Sequence, residues 1–204
     1  MDIWEKKVLI DFGCFANMIC ASIESYDTET FGLIGGENKK NGLRLMTAPP
    51  LLSAEQGEDF VDYLACPEKY ELAKALIDDL GLWLVGDYHS HPNAIAHPSE
   101  DDLITCLNDI KTVREQNIST FDWWLQLIIS IERKDYKRNF KPVFIFDDDD
   151  DEIQVTVKRG KVGWKIHIMG HWCRLEELKE GDWCQRKDAK LSLNKKTYPS
   201  SWEF

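Results

Sequence analysis

Two histidines separated by a single residue, His89 and His91, have the spacing in this sequence that is best suited to chemistry. They follow the apolar run Leu82–Tyr88, which is typical of a β-strand. Side chains two residues apart on a strand point to the same face, so the two imidazoles could share a metal ion. Asp102 comes eleven residues after His91, and a loop could return its carboxylate to the same ion. Two histidines and one carboxylate, with a fourth position open, are the ligand set of a catalytic zinc.

Each fragment of this pattern also has a purely structural interpretation. A histidine pair on a strand is often a surface or core feature, and Ser99 with Asp102 has the spacing of a helix-capping box. The full pattern H-x-H-x7-S-x2-D, however, is expected by chance only about once in a thousand chains of this composition. Nearby side chains leave alternatives open: Asp101 is a second candidate carboxylate, His97 reads best as an exposed loop histidine, and Asp87 is a conceivable partner for an imidazole.

The segment His89-Ser90-His91-Pro92, followed by Ser99 and Asp102, resembles the zinc-binding motif of the JAMM metalloproteases, also called the MPN-plus or JAB-domain family. That family also has an upstream glutamate followed by spaced glycines, which this chain matches as Glu29-Thr-Phe-Gly32-Leu-Ile-Gly35-Gly36. The resemblance covers roughly residues 5–150. It implies a single α/β domain with a mixed sheet flanked by helices, as in cytidine-deaminase-like folds.

The resemblance also implies a role for each matched residue. His89, His91 and Asp102 would hold one zinc ion per chain. Glu29 would accept a proton from the attacking water and then deliver it to the departing amine. Ser99 would donate a hydrogen bond to the oxyanion of the tetrahedral intermediate.

JAMM enzymes mostly cleave after the C-terminal Gly-Gly of ubiquitin or a ubiquitin-like protein, either maturing it or removing it from targets. The short chain looks like the compact bacterial members found with ubiquitin-like conjugation systems, including antiviral ones. The implied partners are therefore a ubiquitin-like protein or its conjugates, with the activating and conjugating enzymes of the same system. Two alternatives remain: a peptidase for a sulfur-carrier protein, and a non-catalytic MPN scaffold. The complete set of five matched residues argues against the scaffold, because scaffolds usually lose ligands.

The apolar periodicity predicts the elements that would hold these side chains. Helical spacing follows Phe15, Pro67 can open a second helix that Gly81 ends, and Ser99 can cap a third. Helices and strands interleave early in the chain, which favours a mixed α/β sheet with helices packed on it. The predicted buried faces are Tyr70, Ala73, Leu76, Ile77 and Leu80 on the second helix, and Leu103, Ile104, Leu107, Ile110 and Val113 on the third.

Strands dominate the later part of the chain. Trp123–Ile131 and Pro142–Phe146 are predicted as buried strands, and the acidic run Asp147–Glu152 as a solvated hairpin turn. A less favoured interpretation of this run is attraction of a basic partner surface. After Gly170 the pattern weakens, which predicts an irregular tail. We therefore assign residues 1–170 to the metalloprotease-like domain and 171–204 to a C-terminal extension of unknown role.

The tail contains a weaker indication of a second metal site. His167, His171, Cys173 and Cys184 are all potential ligands, but their spacing matches no standard structural zinc site. Buried cysteines are the simpler expectation.

Composition restricts the class of protein. A length of 204 residues predicts one domain, and 30% charged residues are ordinary for a soluble protein. The net charge of −11 makes nucleic acid a poor default partner unless the protein has a local basic patch. No apolar run reaches the length of a membrane span, and the N-terminus lacks an apolar signal region. Six cysteines without a C-x-x-C pair fit reduced thiols in the cytoplasm.

Overall fold

The protein is described here by a computed structural model, which covers residues 3–40, 42–51, 55–56, 61–62, 67–115, 123–149, 152–178 and 181–199. In these ranges the chain forms three α-helices, nine β-strands and two short 3-10 turns. In chain order the strands and helices are β1 (Lys7–Ile10), α1 (Phe12–Glu24), β2 (Phe31–Lys39), β3 (Gly42–Thr47), β4 (Glu55–Gln56), β5 (Val61–Asp62), α2 (Pro67–Asp79), β6 (Trp83–Pro92), α3 (Glu100–Glu115), β7 (Trp123–Asp149), β8 (Glu152–Leu178) and β9 (Gly181–Leu193).

Seven strands form one mixed sheet in the order β1-β3-β2-β6-β7-β8-β9, and β4 pairs separately with β5. Strand β6 lies near the middle, antiparallel to β2 and parallel to β7. The predicted α/β class with a mixed sheet and three helices is confirmed. The structure adds closure of the sheet into a barrel, since β9 pairs in parallel with β1.

Two apolar cores lie on opposite faces of the strands. The first core packs α1 against one face, through residues such as Phe15, Met18 and Tyr88. The second packs α2 and α3 against the other face, with Trp124 and Ile110 among its members. Successive residues of β6 alternate between these faces. The histidines therefore lie on the side of α3, whereas Tyr88 points into the first core.

The predicted buried faces of the last two helices are partly wrong. Leu76 on α2 and Leu80, which directly follows α2, are 53% and 66% exposed, and Ile104 on α3 is 58% exposed. Cys106 is fully buried in the second core beside Ile110. A helix shows the same periodicity on neighbouring stripes of its surface, so apolar spacing alone does not decide which stripe meets the sheet.

The prediction of an irregular tail is also wrong. Strand β8 runs through residue 170 without a break, so the predicted domain boundary falls inside a strand. Residues 181–193 form β9, which lies between β8 and β1. Leu191 and Leu193 on β9 are buried in the first core. Long-range pairing stabilises this segment, and local periodicity does not reveal such pairing.

Strands β7 and β8 extend well beyond the rest of the sheet. β7 pairs with β6 only at residues 125–131, and β8 pairs with β9 only at residues 170–178. Farther out, within the described part of the chain, the two strands pair only with each other and form a ribbon. At the far end of the ribbon Asp149 pairs with Glu152. Residues 147–149 of the acidic run belong to β7 rather than to the predicted turn, and residues 150 and 151 lie outside the described residues. The segment Pro142–Phe146 is a strand as predicted, but it is largely exposed rather than buried.

None of the helices in the described ranges has the length and hydropathy needed to cross a bilayer.

Candidate metal centre

The last residues of β6 bring the two histidines together. His89 and His91 lie on the α3 side of the strand, and their Nε2 atoms are 3.0 Å apart. The intervening Ser90 is fully buried, and its Oγ accepts a hydrogen bond of 3.0 Å from the backbone N–H of Thr30. The side chain of Ser90 therefore fastens β6 to the start of β2 instead of joining the histidines.

Glycines allow the strands around the histidines to approach closely. A Cβ atom on Gly86 would lie 1.8 Å from the carbonyl oxygen of Leu125 on β7. A Cβ atom on Gly32 would lie 2.3 Å from the ring of Tyr88 and 2.5 Å from the carbonyl oxygen of Pro49. Real Cβ contacts are not this short, so both positions require glycine. Gly32 is the first glycine of the upstream pattern, which thus has a packing role beside the site.

Asp102 reaches the histidines from the first turn of α3. Its Oδ1 lies 3.3 Å from Nε2 of His89, and its Oδ2 lies 3.6 Å from Nε2 of His91. The Oδ2 atom also accepts hydrogen bonds from the backbone N–H of Ser99 at 2.6 Å and from its hydroxyl at 2.8 Å. The hydroxyl oxygen in turn accepts the backbone N–H of Asp102 at 3.1 Å. This reciprocal capping box holds the carboxylate over the end of β6.

One donor atom from each of these three side chains lies within 4.8 Å of the other two. Two ligand atoms at zinc-bond distances lie about 3.3 Å apart when they subtend a tetrahedral angle. The two Nε2 atoms are 3.0 Å apart, and the nearest carboxylate oxygens are Oδ1 at 3.3 Å from His89 and Oδ2 at 3.6 Å from His91, so the donors are close enough to share one ion. Within the described residues, His89, His91 and Asp102 are the group of three that could hold a metal ion. Imidazole and carboxylate donors suit zinc, so the residues present fit the metal that the motif predicts.

The loop after β6 selects the tautomer of His91. Its Nδ1 atom donates a hydrogen bond of 3.0 Å to the carbonyl oxygen of Ile95, which leaves the Nε2 lone pair free for a metal. Asn93, at φ 55°, turns the chain into this loop, and its side chain accepts a 2.7 Å hydrogen bond from the hydroxyl of Tyr26. Sequence reasoning missed this support. A Pro-Asn pair directly after a strand was the available signal for such a turn.

Glu29 lies two residues before β2 and beside the donor cluster. Its Oε1 is 3.8 Å from Nε2 of His91, and its side chain is 12% exposed. Two hydrogen bonds between Thr30 and Ser90 fix this placement: the Ser90 N–H donates to the carbonyl of Thr30 at 2.9 Å, and the Thr30 N–H donates to Oγ of Ser90 at 3.0 Å. The carboxylate is therefore next to the three donors without belonging to their group.

The cluster favours an ionised Asp102. Although burial acts to raise the pKa of this carboxyl, hydrogen bonds from His89 and His91 hold it well below its ordinary value. Burial acts to lower the pKa of His91, but the hydrogen bonds to Asp102 and the Ile95 carbonyl, with the charges of Asp102 and Glu29, raise it overall. A cation at Nε2 of His91 competes with a proton there, so metal uptake weakens as the pH falls.

The structure also locates the neighbouring candidates. Asp101 is exposed and lies outside the group of three, so the geometry favours Asp102. His97 is exposed in the loop, as expected. Asp87 is buried, and it accepts a short hydrogen bond from Nε1 of Trp124. Burial raises the pKa of Asp87, and the nearby charge of Asp109 adds to this effect.

The candidate tail ligands do not assemble within the described residues. His167 pairs with Glu152 at 2.6 Å, and His171 pairs with Asp188 at 2.9 Å. Cys173 is a free thiol buried in the second core. The side chain of Cys184 lies outside the described residues, as does that of Cys66.

Comparison with known proteins adds two findings. A model of the family described as prokaryotic homologs of the JAB domain matches residues 14–141. The solution structure of protein DSY2949 from Desulfitobacterium hafniense superposes with a TM-score of 0.50, at 16% identity over 92% of each chain. That likeness shows the fold alone. No curated protein matches the sequence significantly.

Proposed function

The chain belongs to the family of prokaryotic JAB-domain homologs, and from this premise we propose that it is a zinc-dependent peptidase acting on a ubiquitin-like protein. The proposed reaction is cleavage after a C-terminal Gly-Gly, either to mature the modifier or to release it from a target. The observation that carries the proposal is the convergence of Glu29 with three donor side chains from β6 and α3.

His89, His91 and Asp102 are proposed to hold the metal. Zinc bound there would act as a Lewis acid toward the scissile carbonyl and would lower the pKa of a water molecule at the fourth position. The protein contributes the fixed separations of the donors, the Ile95 carbonyl that orients His91, and the capping box that orients Asp102.

Glu29 is proposed to move the proton. Its Oε1 lies beside the donors and accepts the proton of the attacking water, then passes it to the amine that leaves. One carboxylate can serve in both steps because it is a base in the first and an acid in the second. A scaffold has no need of a carboxylate at this position, so Glu29 favours an enzyme over the scaffold alternative.

The role that we propose for Ser99 is to position Asp102. Its hydroxyl donates to Oδ2 of Asp102, and one hydroxyl proton cannot be donated to an oxyanion at the same time. The contacts of Ser99 support a role in positioning Asp102. Donation to the oxyanion stays a prediction, and it requires the hydroxyl to rotate during turnover.

The Gly-Gly substrate, the cytoplasmic setting and the conjugation enzymes as partners belong to the same proposal and rest on the family. Two small glycines are the tail least hindered in approaching a site framed by closely packed strands. A bulky residue at either position is expected to slow cleavage.

The test uses a panel of ubiquitin-like proteins fused at Gly-Gly to a reporter, incubated with wild type, Glu29→Gln and the matched control Glu24→Gln. Glu24 is exposed at the end of α1. We expect Glu29→Gln to retain zinc and to lose about 10³–10⁴-fold in turnover, since proton transfer typically contributes 10²–10⁴-fold. Mass spectrometry should find a free C-terminal glycine on the product. A chelator should stop the reaction, and thiol alkylation should not.

Equal cleavage by wild type and Glu29→Gln would exclude Glu29 from the mechanism. A covalent enzyme–substrate adduct would exclude direct attack by water. Zinc binding without cleavage of any member of the panel would instead support the scaffold.

A further inference from the structure

Positive charge is concentrated on one part of the β7–β8 ribbon. Residues 132–141 of β7 and 158–165 of β8, here called the basic belt, contain nine Lys or Arg residues and two acidic ones, a net charge of +7. The whole chain carries −11, so the rest carries −18. The antiparallel pairing of the two strands brings the two stretches side by side.

Most of these cations are exposed and are not neutralised by neighbours. Arg133 pairs with Asp135 at 3.5 Å, and Lys134 pairs with Glu132 at 3.4 Å. Six others are exposed and form no ion pair with a carboxylate in the described part of the chain: Lys137, Arg138, Lys141, Arg159, Lys161 and Lys165. Cations that have no ion-pair partner within the protein can pair with an anionic ligand without first breaking an internal ion pair.

Aromatic rings lie among the cations. Tyr136 and Phe140 contact each other edge to face at 5.0 Å between ring centroids. The guanidinium of Arg138 lies 4.6 Å from the ring of Phe140, and Nζ of Lys158 lies 5.2 Å from the same ring. These contacts hold two cations in place beside partly exposed rings.

The backbone is irregular at this point. Asp135 pairs with Val162 and Phe140 pairs with Gly160, so four residues of β7 lie opposite the single residue Lys161. A bulge of this size interrupts the regular edge of β7. The belt is therefore poorly suited to adding a further β-strand from a protein partner, and it presents side chains rather than a continuous row of backbone groups.

We propose that the basic belt binds single-stranded nucleic acid. Unpaired cations along a narrow ribbon can follow a chain of phosphates. A base can stack on the Phe140 or Tyr136 ring when the cation over that ring turns to a phosphate. An acidic polypeptide could pair with the same cations, but base stacking makes binding depend on the rings as well, which the aromatic variant below tests. The net charge of −11 disfavours nucleic acid for the chain as a whole, but the belt itself is positively charged. The fold gathers these cations on one surface, and most of the carboxylates lie elsewhere.

The acidic run limits the extent of this surface. The run Asp147–Glu152 begins six residues beyond Lys141, and Asp149 pairs with Glu152 at the far end of the same ribbon. The negative charges of the run repel a phosphate chain, so the bound strand should lie across the belt and not extend to that end of the ribbon. About four to six phosphate contacts are available to the belt, which predicts a slope of log K against log salt of about −3 to −4 for a single strand.

The experiment measures fluorescence anisotropy of labelled 20-nucleotide poly(U) and poly(dT) with the full chain. Non-specific binding of this kind is expected at Kd values of about 1–100 µM near physiological salt. The variant Lys137→Glu/Arg138→Glu/Lys141→Glu should weaken binding at least about tenfold, and Arg159→Glu/Lys161→Glu should do the same from the other strand. The control Lys187→Glu/Lys190→Glu/Lys196→Glu, on exposed residues outside the belt, makes the same change in net charge as the triple belt variant and should have a much smaller effect than either belt variant. Zinc content and circular dichroism check the folding of every variant.

Two further variants separate the contribution of the aromatic rings from that of the acidic run. Tyr136→Leu/Phe140→Leu should weaken oligonucleotide binding about tenfold and leave binding of poly-L-glutamate unchanged. Asp147→Asn/Asp148→Asn/Asp149→Asn should tighten oligonucleotide binding. Equal affinity for poly-L-glutamate, with no effect of the aromatic variant, would overturn the proposal in favour of an acidic polypeptide. No binding of either oligonucleotide at low salt, or an equal loss in the control, would also overturn it. None of these outcomes depends on peptidase activity.

Discussion

Two pairs of histidines lie on the same side of the barrel, and one pair converges whereas the other does not. On β6, His89 and His91 converge to 3.0 Å between Nε2 atoms and share Asp102. On β8, His167 and His171 each take a separate carboxylate, Glu152 and Asp188 respectively. The first pair forms a candidate metal centre, and the second forms two independent imidazole–carboxylate contacts.

Strand geometry explains the difference. Residues two apart on a strand are about 6.6 Å apart along its axis, and residues four apart are about 13 Å apart. Zinc bonds of about 2 Å can bridge the first separation through two imidazoles but not the second. Burial adds to this, since the side chain of His171 is fully buried and cannot swing toward its neighbour. Spacing along one strand therefore decides whether like residues become one site or two.

The largest expected effect concerns the shared carboxylate. Asp102→Ala removes one of three metal ligands, so zinc affinity should fall by more than about 100-fold, because even the loss of an outer partner typically costs 10–100-fold. Atomic absorption on purified protein measures the zinc content. The control Asp101→Ala should retain about one zinc per chain. Full occupancy in Asp102→Ala with loss in Asp101→Ala would show that the neighbouring carboxylate is the ligand.

A second test asks whether close strand packing supports the first pair. In Gly86→Ala the new Cβ would meet the Leu125 carbonyl oxygen at 1.8 Å, and backbone must move to accommodate it. We expect the free energy of unfolding to fall by about 3 kcal/mol or more. Gly81→Ala is a matched control, since Gly81 has a φ of 70° but open space around it, and it should cost only about 1–2 kcal/mol. If denaturant melts gave equal losses of unfolding free energy for the two variants, the cost would come from backbone conformation and not from the close approach of β6 to β7.

The smallest expected effect concerns His171 in the second pair. Burial lowers the pKa of His171 in the folded protein below its ordinary value of 6.5. As the pH falls through about 6.5 the unfolded chain takes up this proton first, so stability is full above that pH and decreases below it. In His171→Asn this part of the pH dependence should disappear, and the zinc content should be unchanged. The measurement is the difference between wild-type and variant unfolding free energies from pH 8 to pH 5. A difference that is constant with pH, or zinc loss in the variant, would contradict this account.

Much of the candidate site could be predicted because its determinants are local in sequence. His89 and His91 are on one strand, and the capping box places Asp102 in the first turn of the next helix. Glu29 required the family resemblance, since it reaches the site through the pairing of β2 with β6. The support of His91 by the Ile95 carbonyl could not be predicted, because backbone acceptors leave no trace in side-chain patterns.

The fold was predictable where apolar periodicity is strong and decisive. Helix α1 and the strand leading to His89 agree with the pattern, but Leu76 on α2 and Leu80 just after it are exposed. Those leucines fit a helical stripe equally well, and only the position of the sheet selects Tyr70, Ala73 and Ile77 for the interior.

By itself, the sequence determined the donor set and its spacing, because two-residue alternation on a strand and three-residue spacing at a helix start are properties of the local backbone. Three features depend on the tertiary structure: β9 closes the barrel, His167 and His171 pair with different carboxylates, and the cations of β7 and β8 form one surface. These features depend on which distant segments pair and in which register. Pairing is set by the packing of whole strands against shared cores, and no short stretch of sequence carries that information.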